Sequence, residues 1–300
     1  MLCEDRSMPR ATTDQGIEIE YETFGDPSDP ALLLVSGYTS QLLAWQEGLC
    51  GALVAKGFHL IRYDNRDVGL STKLHGQLTS PMKVGKAMRN GDTVPEVPYL
   101  LSDMAIDGIG LLNALGIDKA HVAGMSMGGM IAQTMAIEHP ARVASLTSIM
   151  STPGDMRIGR PTPEARNALL APPALDRDSY IKGSTRALVW ASKRYGDPAE
   201  IQRRAAENYD RSFYPEGSLR QLAAIFASGD RSDLLRQLDV PTLVIHGRDD
   251  TLIRPEGGRV TAELISGSVY VEIADMGHDL PKPLWPLYAD LLCGLARRAT

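Results

Sequence analysis

The sequence predicts an α/β protein with a mostly parallel central sheet flanked by helices and interrupted by a helical insertion. Short β-branched or aliphatic runs alternate with longer amphipathic stretches, the pattern of parallel strands joined by crossover helices. A glycine-flanked serine, Gly124-Met125-Ser126-Met127-Gly128, stands between a strand-like and a helix-like run. The rhythm lapses after residue 150 and resumes near residue 236, which marks an insertion within one core.

The elements follow in chain order. Alternation over Ile17 to Tyr21 predicts an exposed early strand, and the Asp26-Pro27-Ser28-Asp29-Pro30 cluster predicts the turn that ends it. Ala31 to Val35 is a continuous apolar run, the signature of a strand buried on both faces, and His59 to Tyr63 predicts the next buried strand, ending at Asp64. Leu100 to Leu115 has helical spacing and stops at Gly116. His121 to Ala123 predicts the next strand, Met130 to His139 a helix ended by Pro140, and Val143 to Met150 a further strand.

From residue 151 to 235 Pro153, Pro161, Pro163, Pro172 and Pro173 break the start, and charged helical stretches follow near Arg186 to Tyr195 and Ile201 to Tyr209. This segment is read as a helical cap inserted into a core made of residues 1–150 and 236–300. Strands resume at Pro241 to Ile245 and Ser268 to Ile273, and a final amphipathic helix covers Leu284 to Arg297.

The chain has 300 residues, 43% apolar and 23% charged, so a large core is available and a disordered or fibrous chain is excluded. A formal charge of -6 opposes binding to nucleic acid or an anionic membrane surface. Cys3, Cys50 and Cys293 lack metal or redox spacing, which fits a reducing compartment. No apolar segment precedes Gly16 and none spans a bilayer, so a soluble cytoplasmic protein without membrane insertion is expected.

The glycine-flanked serine fits G-x-S-x-G, in which a strained strand-to-helix turn projects the serine hydroxyl from the sheet edge. A serine hydroxyl is a weak nucleophile near neutral pH and needs a base, itself oriented by a carboxylate. Of six histidines, His278 follows the last predicted strand in a glycine-bearing loop, Asp275-Met276-Gly277-His278. Its nearest rival, His246, ends the preceding strand and is read as a satisfied buried histidine. The acid is sought after that same strand, where Asp249 and Asp250 compete. Either one gives the chain order Ser, Asp, His, which differs from the orders of the best-known serine protease folds.

With these residues placed, the chain from about Ile17 to Leu295 resembles the α/β-hydrolase superfamily. The segments Arg62 to Ser71 and Met276 to Pro281 look like those of bacterial carboxylesterases and lipases, including the aclacinomycin methylesterase-like branch. The resemblance implies Asp250 as the acid, three positions after the glycine of H-G-x-x-D. It implies an oxyanion hole from the backbone amides of Tyr38 and Met127, with Ser36-Gly37-Tyr38 standing where His-Gly-x is usual. It also implies that Asp64, Asn65 and Arg66 brace neighbouring loops.

The expected activity is hydrolysis of small-molecule carboxylic esters through an acyl-enzyme on Ser126, with Asp250 and His278 completing the triad and no metal or organic cofactor. C-C bond hydrolysis, perhydrolysis and non-catalytic ligand binding are alternatives on the same residues. Met125 and Met127 are candidates to line an acyl pocket, while Met130 and Met135 are read as core. Trp190, Tyr195, Tyr209 and Tyr214 are candidates to face the substrate from the cap. No residue pattern specifies an oligomeric state.

Overall fold

A computed structural model describes residues 9–172 and 174–299. Cys3, Pro173 and most of the N-terminal stretch lie outside the described residues. The strands are β1 (Arg10–Thr12), β2 (Glu18–Phe24), β3 (Ala31–Val35), β4 (His59–Tyr63), β5 (Ala120–Met125), β6 (Val143–Ile149), β7 (Thr242–Gly247) and β8 (Val269–Ile273). They form one sheet in the order β1-β2-β4-β3-β5-β6-β7-β8. β2 runs antiparallel to both β1 and β4, and the remaining pairings are parallel.

The sheet separates two apolar cores because side chains alternate across each strand. In β3, Leu33 and Val35 join one core, while Leu32 and Leu34 join the other. The first core is filled from α3 (Leu101–Ala114) and α4 (Met127–Glu138), the second from α1 (Glu47–Val54) and α11 (Trp285–Arg298). Each fully buried leucine contributes about 1.5–3 kcal/mol, which is why these runs form strands covered on both faces. Gly116, with φ +69°, takes the left-handed conformation that ends α3.

β2 differs from the exposed strand expected. It lies between β1 and β4, with Ile19 fully buried and Glu20 at 2% exposure. Glu20 tolerates this because Arg10 of β1 donates to its carboxylate at 2.9 Å.

α2 (Pro81–Asn90) lies between β4 and α3 in the chain, and α10 (Glu256–Leu264) between β7 and β8. Between β6 and β7 come α5 (Pro163–Leu169), α6 (Arg177–Ser184), α7 (Pro198–Arg211), α8 (Glu216–Ser228) and α9 (Ser232–Leu235). Asp176 caps α6 through the amide of Ser179, and Asp197 caps α7 ahead of Pro198. α8 lies against α2 and α3, and α9 against α4 and α10.

The helix expected near Arg186 to Tyr195 is instead a short 3-10 helix, Thr185–Val189, followed by turns. The backbone there is committed elsewhere: the Trp190 carbonyl accepts from the His278 amide at 2.6 Å, and the Ser192 amide donates to Asp279 at 3.1 Å. Among the described residues no helix is long and apolar enough to cross a membrane.

Candidate active site

Ser126 occupies the turn between β5 and α4 with φ 56° and ψ −121°, a backbone conformation that costs about 1–3 kcal/mol in a residue with a side chain. Glycines make this turn sterically possible. A Cβ at Gly124 would stand 2.0 Å from the Gly128 carbonyl oxygen, and one at Gly128 would stand 2.2 Å from that of Val35. The turn is pinned as well: the Ser126 amide donates to Ile149 at 2.9 Å, and the Ser151 hydroxyl donates to the Ser126 carbonyl at 2.8 Å.

Ser126, Asp250 and His278 follow β5, β7 and β8, which run parallel through β6, so all three emerge at the carboxyl edge of the sheet. There the His278 Nε2 lies 2.9 Å from the Ser126 Oγ, and the His278 Nδ1 lies 2.6 Å from the Asp250 Oδ2. An ionised carboxylate only accepts, so Nδ1 carries the proton and Nε2 is left to accept from the serine hydroxyl.

Asp250 is buried, and its Oδ1 accepts from the amides of Leu252 at 2.8 Å and Ile253 at 3.0 Å. Burial works to raise this carboxyl, but the field of His278, hydrogen bonds from His246 and His278, and the field of His246 together hold it below its usual value. Asp249 sits beside Arg248 at 3.6 Å and does not join the constellation.

His246 is fully buried, as expected, but only half satisfied. Its Nε2 lies 2.7 Å from the Ile253 carbonyl and 3.4 Å from Asp250 Oδ2, while its Nδ1 is buried with no partner among the described residues.

The loop after β3 carries Tyr38 beside the serine. A Cβ on Gly37 would lie 3.3 Å from that of Ser126. Ser36, in place of the usual histidine, is buried, and its carbonyl accepts from Asn65 Nδ2 at 3.0 Å. The Thr39 amide donates to Gln221 Oε1 at 2.9 Å, which tethers the loop to α8. Met127 follows Ser126 as the first residue of α4, where helical amides have no intrahelical acceptor.

Other charged residues near the site brace loops. Arg66 makes a two-pronged pair with Asp107, at 2.6 and 2.8 Å, and Asp64 accepts from the Leu42 and Leu70 amides.

Ser126 and His278 open on a cavity of about 1220 Å³, also lined by Tyr38, Met125, Trp190 and Leu222. Tyr195 and Tyr214 line it too, whereas Tyr209 stacks on Phe213 with ring centroids 4.4 Å apart. Met125 faces the cavity, while Met127, Met130 and Met135 belong to the core.

The residues that hold the histidine loop carried no signal in the sequence. A Cβ at Gly277 would lie 2.4 Å from the Trp190 carbonyl oxygen, and Ser192 Oγ accepts from the Gly277 amide at 3.0 Å while donating to Asp279 Oδ1. Asp279 sits within the segment Met276 to Pro281, but its partner stands 87 residues away, a separation that no local pattern encodes.

Comparison with known proteins agrees with this fold. The family model of the alpha/beta hydrolase fold matches residues 30–281. The rhodomycin D methylesterase DauP of a Streptomyces species is 26% identical, over 97% of this chain and 99% of its own length. The solved enol-lactonase of Burkholderia xenovorans superposes with a TM-score of 0.73 at 23% identity, covering 96% of this chain and 100% of the other. A meta-cleavage product hydrolase of Pseudomonas fluorescens superposes with a TM-score of 0.76 at 19% identity, covering 97% and 98%. With the family model spanning most of its length, this chain belongs to the α/β-hydrolase family.

Proposed function

We propose that this protein is a serine-dependent carboxylic ester hydrolase, with Ser126 as nucleophile, His278 as general base and acid, and Asp250 as the group that orients His278. The observation that carries the reading is the continuous relay in which His278 bridges Ser126 at 2.9 Å and Asp250 at 2.6 Å. The likeness to a rhodomycin D methylesterase adds weight to a methyl or other small alkyl ester as substrate.

In this reading His278 Nε2 takes the hydroxyl proton as Ser126 Oγ attacks the ester carbonyl. The lowered Asp250 carboxyl stays ionised and stabilises the imidazolium. The backbone amides of Tyr38 and Met127 receive the developing oxyanion, a contribution worth about 10²–10³ in rate per donor. His278 then passes its proton to the departing alkoxide, leaving an acyl ester on Ser126. Water, deprotonated by the same histidine, attacks that ester and releases the acid. No step calls for a cofactor.

The segment 151–235 acts as the cap in this reading, with α5 to α7 closing the cavity and α8 docking it on α2 and α3. Buried free thiols at Cys50 and Cys293 suit a cytoplasmic location.

The test is turnover of p-nitrophenyl esters of graded acyl length by the wild-type protein and Ser126→Ala. Loss of at least about three orders of magnitude in the variant, with its fold intact, is expected. Undiminished turnover would overturn the assignment.

A further inference from the structure

Arg204 lies on α7, on the face of that helix that lines the same cavity as Ser126 and His278. It is half-buried, and among the described residues its guanidinium donates to no protein acceptor. A half-buried arginine on a cavity wall with no protein acceptor keeps its donors available to a bound molecule.

The acidic groups around it are already engaged. Glu200, one turn earlier, is held by Arg203 at 2.7 and 2.9 Å and by Lys282 at 3.1 Å. Glu207 is held by Arg203. Asp279 Oδ1 accepts from the amide and hydroxyl of Ser192, and burial raises that carboxyl above its usual value. Burial also pulls the Arg204 guanidinium below its ordinary value, against the fields of Glu200, Glu207 and Asp279 and with that of Arg203. The other cations that line the cavity are Lys282, paired with Glu200, and Arg186, which is exposed.

We infer that Arg204 is an anion-recognition residue within the cavity, so that the substrates of this site are esters bearing a second, ionised carboxylate, namely half-esters of dicarboxylic acids. The inference rests on the ester-hydrolase reading and names its substrate class. A planar guanidinium offers a carboxylate two parallel donors, and partial burial on the cavity wall strengthens that pairing relative to one in open water. The ester end of such a substrate lies at Ser126 while its far carboxylate meets α7. Substrate binding then completes the hydrogen bonding that the protein leaves open.

The test compares kcat/KM for monomethyl and dimethyl esters of dicarboxylic acids of about four to eight carbons in the wild type, Arg204→Met, Arg204→Lys and Arg186→Met. The wild type is expected to prefer a half-ester over its diester. Arg204→Met is expected to cut that preference roughly 10- to 100-fold, chiefly through KM. Arg204→Lys is expected to keep part of the preference and Arg186→Met to keep it whole. A wild type indifferent to the free carboxylate, or an Arg204→Met variant that retains the preference, would overturn the inference.

A second readout separates this inference from the activity. Binding of glutarate to the Ser126→Ala protein, followed by calorimetry, is expected to be lost when Arg204→Met is added. If no ester is turned over by the wild type, the hydrolase reading fails, and glutarate binding alone decides the role of Arg204: loss on substitution supports it, and no binding to either protein contradicts it.

Discussion

Arg211, the last residue of α7, places its Nη1 2.7 Å from Oδ2 of Asp64, just beyond β4. The two side chains are 10% and 0% exposed, so an ion pair buried beneath the cavity wall ties the segment between β6 and β7 to the sheet edge. Burial pushes the Asp64 carboxyl up, while Arg211 and the amides of Leu42 and Leu70 pull it back without cancelling the rise. The arrangement survives because every acceptor on Asp64 is used.

Asp64→Asn leaves a buried arginine without its counter-charge and is expected to cost about 3–5 kcal/mol of stability. Urea denaturation of the two proteins measures this. A loss below about 1 kcal/mol would show that α7 is not anchored through this pair. Adding Arg211→Gln should return part of the loss, because the unpaired charge is then removed.

Asp250 makes stability depend on pH in a defined direction. Its carboxyl titrates lower in the folded chain than the value of about 3.9 for an unfolded aspartate. Its contribution is therefore fully present above that unfolded value and is lost as pH falls through the folded one. The stability difference between wild type and Asp250→Asn should shrink as pH falls below about pH 4. A difference that widened below about pH 4 would contradict the lowered titration. The same variant should lose about 10⁴-fold in kcat, since an amide no longer enforces the imidazole orientation.

Gly277→Ala probes the clasp on the histidine loop. The added methyl would meet backbone atoms of Trp190 and Ala191 at 2.4 Å, and neither can move independently of the 3-10 helix, Thr185–Val189, that precedes them. Overpacking of this kind costs about 1–3 kcal/mol. The His278 amide, bonded to Trp190 at 2.6 Å, should be displaced with it. A displacement near 1 Å lowers rate about 10²-fold, so ester turnover should fall more than the melting temperature alone would explain. Equal kcat/KM in the two proteins would mean that the loop is positioned some other way.

These residues also show what a sequence discloses. β3 and β4 match the expected runs residue for residue: β3 is apolar throughout, as a strand buried on both faces usually is, and β4 carries Leu60 and Ile61 between the buried His59 and Arg62. The turn at Ser126 is legible because its geometry admits only glycine at Gly124 and Gly128, a local constraint. His278 is reached through its place after a strand end, as are Asp249 and Asp250 together, and the family resemblance through H-G-x-x-D is what points to Asp250 rather than Asp249.

What escapes is set by distant partners. Residues 190 to 195 have helical periodicity, yet the Trp190 carbonyl and Ser192 amide are drawn to the loop that follows β8. Ile19 and Glu20 alternate like a surface strand, yet β1 covers one edge and Arg10 neutralises the glutamate. That the Arg204 guanidinium has no acceptor among the described residues follows from which acids its neighbours have already taken, and that is decided by packing.

The most direct test of the central claim is intact-mass spectrometry after exposure to an organophosphonate that modifies only activated serines. The account predicts a single adduct on the wild-type protein, mapped by peptide digestion to Ser126, and its absence from Ser126→Ala and His278→Ala. A wild-type protein that stays unlabelled, or an adduct that persists in His278→Ala at the wild-type rate, would contradict the claim that His278 activates Ser126.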